Sequence, residues 1–366
     1  MIVTCFGQES QSQRWWKLVR EGTESVRELH LHRRFMPHST KDEATLIAEG
    51  TRPDEALWIE EADLPVAVQG PHLLRVPWGY AGWLETALAW IGAHAEGLHS
   101  WKELKSWSLS CVIHAETGKG TVYFKATNPH QTLFANEPLV TKRLAERFPG
   151  RVPKPLAIDP EQGWMLLADF GPNLRESHGD DASALALTDY SLLQQQTLGQ
   201  ETELLALGCV DRRPAQLARE VALLLTDEAA IATLTEEQRM KLLSVDWQAK
   251  IAAFADTPCA LVHGDLHAGN VAFRPGGLLY FDWTDAALAL PWMDLMEPLY
   301  QEKEETTQSL LAAWNMPTPP WKEIAPLIAL HHAVSYRHIR DATEPCVQHE
   351  LGSSLPTLLR KAAAFS

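Results

Sequence analysis

Residues 259–286 read CALVHGDLHAGNVAFRPGGLLYFDWTDA, and three side chains in this stretch, Asp265, Asn270 and Asp282, carry the oxygens that suit a hard divalent cation and a phosphorylated ligand. Apolar, strand-forming runs at 271–273 and 278–281 flank a Pro275-Gly276-Gly277 turn signal. With the turn centred on Gly276, Asn270 and Asp282 stand six positions to either side and are expected to face each other across an antiparallel hairpin. An amide oxygen and a carboxylate would then converge on one point. That suits Mg2+ held by one or two side chains, with phosphate oxygens and water completing its octahedron. Asp265 opens the same loop, where a carboxylate can accept a hydrogen bond from a substrate hydroxyl and turn that oxygen toward a phosphorus atom.

The stretch HGDLHAGN, residues 263–270, resembles the HxDxxxxN catalytic loop of aminoglycoside phosphotransferases, choline kinases and related small-molecule kinases. YFDW, residues 280–283, is similar to their metal-binding strand. The resemblance implies that Asp265 is the catalytic aspartate, that Asn270 and Asp282 ligate Mg2+, and that His263 and His267 shape the loop. It also implies that Asp294, in LPWMDLM, braces the loop from downstream. The activity so implied is transfer of the γ-phosphoryl group of ATP to a hydroxyl of a small molecule: an aminoglycoside, sugar, amino sugar or amino alcohol.

A nucleotide needs further partners upstream. In TVYFKAT, residues 121–127, strand alternation sets Tyr123 and Lys125 on the face opposite Val122 and Phe124. Asn136 can cap a helix that aligns Glu137 with Val140, Leu144 and Phe148. Lys125 paired with Glu137 would match the strand lysine and helix glutamate by which kinases hold the α- and β-phosphates. The run at 164–167 leads to Ala168-Asp169-Phe170-Gly171, where the resemblance places the hinge, so main-chain groups of Ala168 and Phe170 are expected at the adenine edge. That DFG lies upstream of the catalytic loop, unlike the DFG of a protein kinase, and no APE follows. Neither GxGxxG nor GxxxxGK[ST] occurs. The turn at 106–110, Ser-Trp-Ser-Leu-Ser, would have to cover phosphates with backbone and hydroxyl donors instead.

These residues must be positioned by a fold that mixes a small sheet with a helical body. Residues 1 to about 76 hold short apolar stretches at 2–3, 56–59, 66–68 and 73–74, broken by Gly, Pro and charges, which suggests a small α+β unit. A helical face at Trp83, Ala87, Trp90, Ile91 and Leu98 would connect it to the next unit. Two strands, a helix and a hairpin are expected there, then helices near 182–207, 215–226, 235–254, 304–314, 321–342 and 350–364. The expected class is α+β, a bilobal protein-kinase-like fold with a small antiparallel-sheet lobe and a larger helical lobe. Its expected divisions are an N-terminal unit with linker helix at 1–100, a nucleotide-side lobe at 101–170, and a helical lobe at 171–366 with the catalytic loop and acceptor site.

A net charge of −15 over 366 residues offers nucleic acid or an anionic membrane no broad cationic face, and it suits solubility or a cationic small substrate. The five cysteines are scattered without CxxC, so neither a disulfide framework nor a zinc site is expected and a reducing, cytoplasmic setting fits. No export signal or membrane anchor is expected, and oligomeric state is not legible. Two rivals remain on the residues alone. A metallophosphoesterase could use Asp265 and His267 as a D-x-H motif, with His331 and His332 as the late histidine candidates. A catalytically silent kinase-like scaffold could bind nucleotide without turning it over.

Overall fold

The computed structural model describes residues 2–9, 12, 14–21, 32–39, 43–49, 52–65, 73–80, 82–131, 133–179, 182–296, 299, 314 and 319–365. Contacts gather Met1–His130 with Arg340–Gly352 into one unit, and Gln131–Ile339 with Ser353–Ser366 into another.

In the first unit β1 (Ile2–Gln8), β2 (Trp15–Glu21), β3 (His32–Ser39), β4 (Glu43–Glu49) and β5 (Leu57–Ile59) form a five-stranded sheet in the order β3-β4-β1-β2-β5. The β1–β4 pair is parallel and the others are antiparallel. Trp16 is wholly buried, and a Cβ at Gly7, its partner across the strands, would fall 2.0 Å from the indole. Only glycine lets that ring lie so close to β1. Helix α1 (Trp83–His94) buries Leu84, Ala87 and Ile91. The expected face is thus rotated: Trp83 and Trp90 are half-buried, and Leu98 opens a strand. Strands β6 (Leu98–Ser106), β7 (Ser110–Thr117) and β8 (Gly120–Thr127) form an antiparallel meander. Arg75 and Glu344 join distant parts of this unit through a fully buried ion pair, 2.8 Å apart. Removing one partner would strand the other charge away from water.

The second unit begins with α2 (Glu137–Arg147), capped by Asn136, whose side chain accepts from the Leu139 N–H at 3.3 Å. The hairpin of β9 (Ala157–Asp159) and β10 (Trp164–Ala168) comes next. Helices α3 (Leu174–His178), α4 (Ser183–Gln195), α5 (Glu201–Leu207), α6 (Pro214–Leu225), α7 (Glu228–Ile231), α8 (Glu236–Ser244) and α9 (Trp247–Ala252) make the body, closed by α10 (Trp321–Asp341) and α11 (Ser354–Ala364). The periodic runs at 182–207 and 235–254 each divide into two helices. Gly199, at φ +74, lies in the first break, and the second comes after a serine whose hydroxyl returns to the Lys241 carbonyl. The helix expected at 304–314 and the apolar run at 66–68 lie outside the described residues, the buried Trp314 aside. Strands β11 (Val210–Asp211), β12 (Ala260–Val262) and β15 (Ala287–Ala289) form a small sheet in the order β11-β15-β12, and β13 (Val271–Arg274) pairs with β14 (Gly277–Tyr280). Both β12 and β15 are wholly buried in the apolar core, so the loop that leaves β12 starts from a rigid base.

Candidate active site

The loop after β12 is held by a buried carboxylate. Asp294 Oδ2 accepts from the His263 N–H at 3.1 Å and Oδ1 from the Gly264 N–H at 2.8 Å, while Gln194 Nε2 donates to Oδ2 at 2.9 Å. Burial pushes this carboxyl up to about 7 against the pull of the two main-chain donors, and the negative charge of Asp265 adds to the rise. Gly264 has φ +84, and a Cβ there would lie 2.5 Å from Asp285 Cβ and its carbonyl oxygen. Glycine is therefore required twice over, by conformation and by space. His263, fully buried, donates from Nε2 to the Phe281 carbonyl at 2.9 Å and accepts the Asp265 N–H on Nδ1 at 3.4 Å. Both bonds call for the neutral Nε2–H imidazole.

Asp265 and Asn270 are brought together directly. Asn270 Nδ2 donates to the Asp265 carbonyl at 2.9 Å and to Asp265 Oδ2 at 3.1 Å. With its nitrogen so committed, the amide turns Oδ1 the other way, as an oxygen for a cation. The Asp265 side chain is 39% exposed, open to a substrate. His267 caps the short turn at 268–270, its Nδ1 accepting from the Gly269 N–H at 2.9 Å, and its Nε2 lies 3.7 Å from Asp265 Oδ2. Arg175 Nη2 stands 3.5 Å from the same His267 Nδ1.

The hairpin register corrects the expectation that Asn270 faces Asp282. Arg274 pairs with Gly277 and Val271 with Tyr280, so the connection is the two residues Pro275 and Gly276, and the Phe281 N–H donates to the Asn270 carbonyl at 3.1 Å. Asn270 thus meets Phe281, and Asp282 lies one residue beyond. Asp282 has φ +68, a left-handed conformation that breaks the strand there and re-aims its side chain. Thr284 Oγ1 supports that turn at 3.1 Å from Asp282 Oδ1 and lies 3.0 Å from Glu137 Oε2.

Lys125 is in β8 of the first unit, partly buried on the face opposite Phe124, and Glu137 is 1% exposed at the start of α2 in the second. Ala168 ends β10 exposed, and Phe170 packs on Phe281, ring centroids 4.9 Å apart, so the segment at 168–170 reaches the residue beside Asp282. In the turn at 106–110 two main-chain N–H groups and an indole are in use, while the buried Ser108 hydroxyl has no hydrogen-bond partner among the described residues. The Trp107 N–H goes to the Ser110 carbonyl at 3.2 Å, the Ser108 N–H to Glu350 Oε2 at 2.8 Å, and the Trp107 indole to Ser110 Oγ at 3.0 Å. Sequence reasoning missed Gln194, Thr284, Arg175 and Ser183, whose Oγ lies 3.4 Å from the Ala268 N–H. Each lies outside the motif or has a residue type too common to stand out.

An amide and a carboxylate, both hard oxygen donors, fit Mg2+ shared with phosphate oxygens. Among the described residues no group of three or more His, Cys, Asp or Glu is set to hold a metal unaided. His331 and His332 are both kept neutral by burial, His332 lowered to about 4 with its Nε2 donating to the Met293 carbonyl at 2.8 Å.

The architecture is that of kinase-like phosphotransferases. The chain matches aminoglycoside 2'-phosphotransferase-IIIa in its GDP complex with TM-score 0.58 and 17% identity over 78% of this chain and 99% of that one. It matches choline kinase LicA from Streptococcus pneumoniae with TM-score 0.54 and 16% identity over 77% and 98%. For macrolide 2'-phosphotransferase MphH from Brachybacterium faecium the values are 0.53 and 17% over 74% and 97%. No curated protein sequence matches the chain. The model of the phosphotransferase enzyme family matches residues 101–327, more than half of the sequence, and the chain belongs to that family. Among the described residues no helix is long and apolar enough to cross a membrane.

Proposed function

We propose that this protein is a small-molecule kinase that transfers the γ-phosphoryl group of ATP to a hydroxyl of an aminoglycoside, sugar, amino sugar or amino alcohol. The observation that carries the reading is the Asp265–Asn270 hydrogen bond at 3.1 Å, which ties the base candidate to the cation candidate in one loop. Asp265 accepts the hydrogen bond of the acceptor hydroxyl and holds its oxygen in line with the γ-phosphorus. The proton passes to Asp265 as the oxygen–phosphorus bond forms and the bond to the β-phosphate oxygen breaks. Asn270 and Asp282 hold Mg2+, which when bound neutralises charge on the phosphate oxygens. Lys125, with Glu137, steadies the α- and β-phosphates, His267 orders the loop beside Asp265, and main-chain groups at Ala168 and Phe170 meet the adenine.

The family match supports the chemistry, and the solved relatives include complexes with GDP and with kanamycin, which supports a nucleotide donor and a small acceptor. Because the match opens at Trp101, we divide the chain into an appended unit at 1–100, a nucleotide-side lobe at 101–170 and a helical lobe at 171–366. The test is a transfer screen with labelled ATP and GTP against aminoglycosides, amino sugars, other sugars and amino alcohols in Mg2+. Labelled phosphate on an organic acceptor is expected. Nucleotide binding with no transfer to any acceptor would favour the silent scaffold instead.

A further inference from the structure

Thr284 Oγ1 lies 3.1 Å from Asp282 Oδ1 and 3.0 Å from Glu137 Oε2, so a single hydroxyl stands between two carboxylates from different elements. The same elements are tied a second time through the main chain, where the Ala135 N–H donates to the Thr284 carbonyl at 3.0 Å. Threonine here comes two residues after the metal-strand aspartate, within the short helical turn Trp283–Asp285 that Asp282 initiates. One hydroxyl has one proton to give, so it serves the two acceptors in competition. Without that proton between them the two oxygens would repel, and in the buried surroundings of Glu137 the repulsion would be weakly screened.

We propose that Thr284 is a positioning residue that couples nucleotide and Mg2+ binding at Asp282 to the seating of Glu137 at the start of α2. This rests on the reading of Asp282 as the Mg2+ ligand. When the charge of Asp282 is met by the cation, the Thr284 proton goes wholly to Glu137 and fixes its carboxylate against the metal strand. When Asp282 is not so engaged, the proton is shared and the hold on Glu137 is looser. No bond is made or broken beyond this exchange of hydrogen bonds.

The experiment measures ADP binding to the full chain by calorimetry across a Mg2+ titration, in wild type, Thr284→Val and Thr284→Ser. Thr284→Val keeps the shape and removes the hydroxyl, and it is expected to raise the Mg2+ concentration for half-maximal ADP binding about tenfold, the scale of one hydrogen bond to a charged group. Metal-free ADP affinity is expected to fall by less than about threefold, because without the cation the Thr284 proton is shared and its hold on Glu137 is already loose. Thr284→Ser is expected to restore the wild-type midpoint. A wild-type midpoint in Thr284→Val, or a Thr284→Ser that behaves like it, overturns the proposal while leaving Asp282 as a ligand. ADP binding in wild type that ignores Mg2+ overturns that ligand assignment and the proposal with it. Should Thr284→Val lose its fold by circular dichroism, Thr284→Ala against Thr284→Ser differs by the hydroxyl alone and is read by the same midpoints.

Discussion

The loop at 263–270 and the turn at 106–110 are both short, polar and placed at the ends of strands, yet their hydrogen bonds run in opposite senses. In the loop, main-chain donors are drawn inward to Asp294 and to His263, and the bonds leave the Asp265 carboxylate partly exposed and engage only the nitrogen of the Asn270 amide. In the turn, the Trp107 and Ser108 N–H groups and Ser110 Oγ are used within their own unit. One segment is braced so that the Asp265 carboxylate stays partly open; the other is braced through its own Trp107 and Ser108 N–H groups. Phosphate-binding loops work by presenting unpaired N–H groups, and the Trp107 and Ser108 N–H groups are already paired.

The contrast is most exposed to refutation at Asp265. Asp265→Ala is expected to lower turnover by at least about 10²-fold, the usual scale for a positioned base, with the fold intact. Steady-state kinetics beside a melting curve would check it, and near-wild-type turnover would remove the assignment.

A smaller effect is expected where the loop is braced. Asp294→Asn sets an amide N–H against one of two main-chain donors and is expected to cost about 2 kcal/mol of stability, read from urea unfolding. It also sharpens the pH behaviour. The Asp294 carboxyl rises from 3.8 to about 7 in the fold, so its contribution to stability is full below pH 3.8 and is lost as pH climbs toward about 7. Wild type should lose stability across that window relative to Asp294→Asn, and parallel profiles would mean that the buried carboxyl does not titrate there.

The smallest effect is expected in the turn. Ser110→Ala deprives the Trp107 indole of its acceptor and is expected to cost about 1 kcal/mol while changing the KM for ATP less than about threefold. A tenfold rise in that KM at unchanged stability would make the turn a phosphate loop after all and collapse the comparison.

Much of the second unit was legible in residue types. Asp265 and Asn270 were set together by spacing alone, and the helices at 215–226 and 321–342 by their apolar period, because each depends on local pattern. The hairpin register was not, since a Pro-Gly-Gly string allows more than one turn and only packing chooses the two-residue form. The left-handed Asp282 was equally hidden: its conformation is offset by Thr284 and the broken strand, neither of which sequence periodicity reports. Gln194 reaches Asp294 across a separation of 100 residues, a pairing set by how α4 packs. In the first unit, strands β2, β3 and β4 escaped notice because charged and polar residues interrupt their alternation.

Everything proposed for the site turns on where a divalent cation sits. Crystals of the wild-type chain grown with Mn2+ and a non-hydrolysable ATP analogue would place the metal by its anomalous scattering. We expect one peak bonded at about 2.2 Å to both Asn270 Oδ1 and an Asp282 carboxylate oxygen, with phosphate oxygens on its open side. A metal bound with the nucleotide but touching neither residue would contradict it.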